Sequence, residues 1–448
     1  MTGVQTCALP ISAAPVRAQG RGWGRAWVQI KAGQVQSWAA DFDLHALQWR
    51  TEWTSSLRSW PGFKRARGRL EWTAGLTERW ALQHAQLVSE QGQPWPLQQA
   101  SLELQRAASG EITGGQAQVD AFDLTQLHSW MEEAPATWMS NWQQAAPQGR
   151  VQQLQWRWTG PASQPVLQDW KAQLVGVSWQ PGATGKTQAP APWPGLSGLS
   201  AELSGTGQAI KGQVRVNHGQ LNWPGFWEEG RQSITALKAD LSVQHTPEQW
   251  RITARQAEWV SEGSKVDFDL DWRNSPQDPA GHLELNASAA QIGTRQLARW
   301  LPQSLSAAAR LYVKGAVSDG QVHAAKARVF GPLAKFPFKH ASEGEFRISG
   351  QLSGVRYATV PKHLMASDSR GEWPVFQNLS GELVFDRAAV KLSKVKARLA
   401  QAPNIAWSVL EAEIKDLDQA IVSIRAEGRG RSEEHTSELQ SLRHLVCR

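Results

Sequence analysis

The chain has 448 residues, 41% of them hydrophobic, enough apolar mass for two or more domains. Its two cysteines, Cys7 and Cys447, lie near the ends, so the long stretch between them excludes disulfides, cysteine nucleophiles and thiolate metal sites. The net charge of +7 suits nucleic acid or an anionic lipid surface, but only "FKRARGR" (Phe63 to Arg69) clusters, and the scatter of the rest favours a solvated basic face.

Residues 1–11 ("TGVQTCALPI" from Thr2) and 431–448 ("RSEEHTSELQS" from Arg431) resemble translated sequencing adaptor. They are expected to add nothing to the fold, with both natural termini missing. From residue 12 to 122 alternating apolar and polar residues predict strands of a β-groove segment, with Trp72 on the apolar side. Between Asp123 and Ala145 the period changes. Asp123 is a candidate N-cap, Leu124, Leu127 and Trp130 follow at helical spacing, Pro135 interrupts, and Trp138 and Trp142 resume.

Strand alternation then returns. "LQWRW" places Leu154, Trp156 and Trp158 on one face, and "LKADLSV" does the same for Leu237, Ala239, Leu241 and Val243. The clearest run is "KVDFDLDWR": Val266, Phe268, Leu270 and Trp272 point one way, while Lys265, Asp267, Asp269, Asp271 and Arg273 point the other. "HLELNA" adds Leu283, Leu285 and Ala287. A second helix pair is predicted near 294–314, with Thr294 as cap, Leu297, Trp300 and Leu301 on one face, a break at Pro302, and Leu305, Ala308, Ala309 and Tyr312 continuing the stripe. Strands follow to residue 430, among them "GELVF" with Leu383 and Phe385. Clusters such as "SGTGQ" and "RNSPQDPAG" mark the intervening turns.

Landmarks recur in order. "TQLHSW" at Thr125 matches "RQLARW" at Arg295, Gly160–Pro161 matches Gly331–Pro332 at an offset of 171, and "WPGLSGLSAEL" at Trp193 matches "WPVFQNLSGEL" at Trp373 at 180. The expected organisation is therefore an internal duplication, 123–293 and 294–430, after the 12–122 segment.

The series "ARWLP", "GPLAKFPF", "EGEFRISG" and "GEWPVFQNLSGELVF", with "APQGRVQQLQWRWTGP" and "WPGLSGLSAELSG" upstream, resembles the YhdP-type proteins of the AsmA-like superfamily over nearly all of 12–430. The resemblance implies an envelope protein of diderm bacteria, anchored in the inner membrane and reaching through the periplasm. It also implies a long antiparallel sheet curled into an apolar gutter that moves phospholipid between inner and outer membranes. This chain would be a middle segment, reaching both membranes through parts it lacks.

Periodicity alone favours a filled sandwich, because a one-sided apolar sheet must be covered by a second layer or a ligand; the resemblance favours the open groove. The fold expected is thus mainly β, a long twisted antiparallel sheet with two short helix pairs. Lipid-contacting candidates are Trp72, Leu154, Trp156, Trp158, Val266, Phe268, Leu270, Trp272, Leu283, Leu285, Leu383 and Phe385. No catalytic residue, cofactor, metal or nucleic-acid partner is expected. "GATGKT" (Gly182 to Thr187) lacks the phosphate-loop spacing, "GRGWG" lacks the dinucleotide spacing, and Ser197 and Ser200 lack a nucleophile elbow. The Asp267, Asp269, Asp271 series fits the wet face of one strand, and the histidines form no ligand pattern. The abundant Trp keep a second reading open, a cell-envelope glycan-binding module, and a third, a structural scaffold.

Overall fold

The computed structural model describes residues 16–51, 58–130, 136–161, 164–183, 193–303, 305–364, 373–416 and 421–429. Both adaptor-like tails, and most of "GATGKT", lie outside them. The chain divides into two compact units, Met1–Gln180 with Ser197–Gly212, and Pro181–Leu196 with Gln213–Arg448.

The strands of the first unit are β1 (Val16–Lys31), β2 (Gln34–Thr51), β3 (Arg58–Thr73), β4 (Thr77–Ser89), β5 (Ala100–Arg106), β6 (Ile112–Asp123), β7 (Gln148–Thr159) and β8 (Val166–Trp179). Each pairs antiparallel with the next. The unit boundary runs through β9 (Gly195–Gly205) and β10 (Ala209–Asn222).

In the second unit β11 (Arg231–Thr246), β12 (Gln249–Ser261), β13 (Ser264–Ser275) and β14 (Asp278–Gly293) form a meander. The two-residue β15 (Val317–Ser318) is a side pairing onto β17 (Glu345–Ala358), and β16 (Gln321–Pro332) joins β14 to β17. The ladder continues through β18 (Val375–Asp386), β19 (Ala389–Leu399), β20 (Ala402–Ile414) and β21 (Val422–Arg429). No ladder among the described residues joins the first strand of either unit to its last, so neither unit closes into a barrel. The architecture is mainly β, antiparallel and open, as expected.

Both predicted helical regions are helical. The first is a 3-10 helix, Leu124–Trp130, followed by α1 (Ala136–Ala145). The Asp123 carboxylate accepts from the Thr125 amide at 2.9 Å and its hydroxyl at 2.7 Å, as an N-cap should. The second comprises α2 (Thr294–Arg299) and α3 (Ala307–Ala316), broken around Pro302. Here one expectation fails. Thr294 is the first helical residue and Gly293 the cap; the Thr294 hydroxyl instead donates to the Asp319 carbonyl at 2.6 Å, tying the helix to the turn before β16.

The backbone also repeats its irregularities. Non-glycine residues with left-handed φ cost roughly 1–2 kcal/mol, and within the strands several of them mark β-bulges. Gln153 (φ 49°) and Ala324 (φ 49°) sit at corresponding bulges in β7 and β16. Gly176 (61°) answers to Gly354 (63°), Gly198 (79°) to Asn378 (51°), and His218 (54°) to Lys394 (54°). The two Trp-Pro phrases therefore each lead into a strand whose fourth residue kinks the same way before a buried leucine, Leu199 or Leu379.

Candidate functional site

Residues directly opposite each other in an antiparallel ladder share a face, so the apolar side of each sheet can be followed strand by strand. In the first unit one row runs Val28, Trp38, Trp72, Trp80, Leu102, Ala117, Trp156, Trp170 from β1 to β8. The next runs Ala26, Ala40, Leu70, Leu82, Ala100, Val119, Leu154. Trp158 lies across Gly115, where a Cβ would come within 2.5 Å of the indole. The glycine makes room for the ring. Trp72, Leu154, Trp156 and Trp158 thus belong to one apolar surface.

In the second unit a row crosses nine strands, joined by eight ladders, without a polar residue: Ala257, Phe268, Ala287, Ala327, Ile348, Phe385, Val390, Ile414, Val422. Beside it run Leu241, Ala254, Leu270, Leu285, Val329, Phe346 and, further along, Val243, Ile252, Trp272, Leu283. Leu383 belongs to a parallel row with Gly350, Leu392, Ala412 and Ile424. Val266, at the helix end of this face, packs against the core that α2 and α3 form with the sheet.

The opposite faces carry charge ladders. Glu258 receives Lys238 at 2.5 Å and Lys265 at 3.0 Å, and Lys265 reaches on to Asp267 at 3.2 Å. Hydrogen bonds from both lysines hold the Glu258 carboxyl below its ordinary range. Arg251 grips Asp271 through two hydrogen bonds of 3.1 and 2.6 Å, and that contact lowers the Asp271 pKa. Asp269 accepts the Gln256 amide at the β12 bulge. The Asp series lies on the polar face, and among the described residues no three potential ligands gather as a metal site.

Among the described residues, cover is found toward the ends of the apolar face. In the second unit α2 and α3 lay Leu297, Trp300 and Tyr312 over a buried cluster that includes Ile292, Val322, Leu352 and Val355. At the other end the 3-10 turn Leu333–Lys335 brings Phe336 and Phe338 down onto Val329, Phe346, Leu283 and Leu285. Between these, Phe268, Leu270, Trp272 and Phe385 remain only half-buried. In the first unit the segment around Trp95 and Leu97 folds over Phe63, Ala66, Ala85 and Leu87.

Two features escape periodicity. Glu78 shares the apolar side with Trp80 and Leu104. Its carboxylate accepts from the Trp72 indole at 2.9 Å, the Trp80 indole at 2.8 Å and Arg106 at 2.6 Å. Burial pushes its pKa up, but those three hydrogen bonds outweigh burial and leave it lowered. The second feature is the Phe336–Phe338 hook, visible in sequence only as part of "GPLAKFPF".

The sequence matches the family described as "YhdP protein" over residues 5–440. The chain belongs to the YhdP family. That match enters both adaptor-like tails, while the apolar faces of this YhdP family member lie well inside it. No curated protein and no solved structure matches the chain. Among the described residues no helix is long and apolar enough to cross a membrane. For a YhdP family chain, the extended apolar face with a charged back is the feature with an evident use: it can solvate a long apolar ligand lying across many strands.

Proposed function

We propose that this chain conducts phospholipid along the apolar faces of its sheets, as a periplasmic segment of a protein anchored in the inner membrane and delivering toward the outer membrane. The observation that carries the reading is the row from Ala257 to Val422, apolar in every strand yet half-buried along its middle. A folded sheet gains little by leaving such a face uncovered, since each exposed CH₂ forgoes about 0.8 kcal/mol. An acyl chain recovers it.

Energetics support the same reading. Drawing two acyl chains of about 15 carbons into water costs on the order of 20–25 kcal/mol, and a continuous apolar floor offsets most of that. The work is solvation, and no side chain is asked to act as acid, base or nucleophile. Membership of the YhdP family supports an envelope setting.

The test is photo-crosslinking from a probe at position 268, on the apolar face, and at 267, on the polar face, followed by mass spectrometry of the adducts. Phospholipid adducts from 268 and none from 267 are expected. Equal labelling from both positions would overturn the reading, and glycan adducts would replace it with envelope-glycan binding.

A further inference from the structure

The outer face of β1 is unlike its neighbours. Its residues alternate Arg21, Trp23, Arg25, Trp27, and all four are exposed, the indoles at 56% and 45%. Ladder partners fix their side: Arg21 lies opposite His45, Trp23 opposite Asp43, Arg25 opposite Asp41 and Trp27 opposite Ala39. The next strand continues the patch with Arg65, Arg67 and Arg69 opposite His45, Asp43 and Asp41. This is the charged back of the sheet, and the Val28 to Trp170 row lies on the other side.

Five arginines here face three carboxylates, Asp41, Asp43 and Glu71. Asp43 is taken by Arg65 at 2.8 Å and Asp41 by Arg69 at 2.8 Å. Arg21 and Arg25 have no ion-pair partner among the described residues. The Arg69 guanidinium stands over the Trp27 ring, 5.2 Å from its centre, within cation–π range. By contrast the outer residues of β4 and β5 that pair with each other are Arg79 with Glu103 and Ala81 with Ser101. Polar, self-neutralised positions are the rule in this sheet, and paired indoles with free guanidinium groups are the departure.

We propose that this face of β1–β3 docks on the surface of an anionic phospholipid bilayer. Indole rings partition to the interface between headgroups and acyl chains, and guanidinium groups bind phosphate in two-pronged fashion. Alternating the two on a rigid strand places an indole between each pair of phosphate contacts. Each basic group near an anionic surface adds roughly fivefold in affinity. The exposed indoles, which a purely electrostatic patch would not need, set the depth. This site is separate from lipid passage along the opposite face, and either can fail without the other.

The test uses the full chain and sedimentation with phosphatidylcholine vesicles, with and without phosphatidylglycerol. Binding is expected only with phosphatidylglycerol and is expected to fall as salt rises. The double variant Arg21→Glu/Arg25→Glu should lose at least tenfold in affinity. Trp23→Ser/Trp27→Ser should weaken binding at least tenfold and lose the blue shift of indole emission, and the binding that remains should still fall as salt rises. Lys171→Glu/Lys391→Glu, on exposed positions elsewhere, changes net charge equally and should bind as the unaltered chain does. Matching losses in that control, equal binding to neutral vesicles, or a variant that keeps its affinity would each overturn the proposal. So would tighter capture of single-stranded nucleic acid than of vesicles. Circular dichroism confirms that each variant is folded.

Discussion

Tyr312 and Tyr357 are the only two tyrosines of the chain, and their hydroxyls meet at 2.6 Å between α3 and β17. Tyr312 also reaches the Thr359 carbonyl at 3.3 Å. The geometry implies a relay: Tyr357 donates to Tyr312, which donates to the carbonyl. Removing Tyr312's hydroxyl orphans a buried donor, whereas removing Tyr357's leaves Tyr312 its carbonyl. Tyr312→Phe should therefore cost about 2 kcal/mol and Tyr357→Phe about 1 kcal/mol, read from urea denaturation. Burial raises both phenol pKa values, that of Tyr357 well above 10.0. Because the folded state holds these protons more tightly, their contribution is complete below the ordinary phenol value and is lost as pH rises through the folded values. The unaltered chain should lose stability in alkaline urea titrations more steeply than the double Phe variant.

Phe338 has no exposed surface, and two glycines shape its socket. A Cβ on Gly331 would stand 2.9 Å from the ring, and one on Gly344 would stand 2.8 Å from it and 2.5 Å from the Phe330 carbonyl. Phe338→Ala should cost about 3–5 kcal/mol through the cavity left behind, and Gly344→Ala about 1–3 kcal/mol through overpacking. Hydrogen exchange should localise both losses to β16 and β17. Unchanged protection there would show that the hook does not hold that end of the sheet.

Much of this was legible in the sequence because period-two alternation survives wherever one face is charged. "KVDFDLDWR" placed Phe268 and Asp267 on opposite sides without any structure. The two helical regions were legible from Leu124, Leu127 and Trp130 and from Leu297 and Trp300. The bulges were not, since Gln153, Ala324 and Lys394 take left-handed φ with side chains that do not advertise it. Tertiary pairing imposes that conformation. Thr294 looked like a cap because caps and strand ties use the same hydroxyl chemistry. Glu78 reads as one more solvated charge, because the indoles and guanidinium that neutralise it come from β3, β4 and the end of β5.

Glu78 therefore yields its own prediction. Its side chain is 12% exposed and Arg106 is 26% exposed, so the pair is shielded from water without being fully dry. Arg106→Met would leave the carboxylate on an apolar surface with two indole donors, at a cost of about 2 kcal/mol near neutral pH. In the unaltered chain the lowered Glu78 pKa stabilises the fold above the ordinary carboxyl value of 4.5 and ceases to do so as pH falls through the folded value. The gap between Arg106→Met and the unaltered chain should shrink in acid. A gap that is constant with pH would mean that Arg106 contributes by packing alone.

Charge placed on the two faces of β13 should separate an open floor from a filled core. Phe268 lies between Ala257 and Ala287, and Leu270 between Ala254 and Leu285, and both side chains are half-buried. A carboxylate at either position in a closed interior would cost several kcal/mol as an unpaired buried charge. On a half-buried floor it can be hydrated while no lipid is present, so Phe268→Asp and Leu270→Asp should lower stability by only about 1–2 kcal/mol. Lipid passing over the same position would have to strip that hydration, a penalty comparable with exposing several CH₂ groups at about 0.8 kcal/mol each. Phospholipid adducts at neighbouring positions such as Leu285 should then fall at least tenfold. Asp267→Asn, whose carboxylate meets Lys265 on the polar face, should change neither quantity. Thermal melts paired with crosslinking from position 285 measure both, and a variant that unfolds without ever having bound lipid would sink the open-floor account.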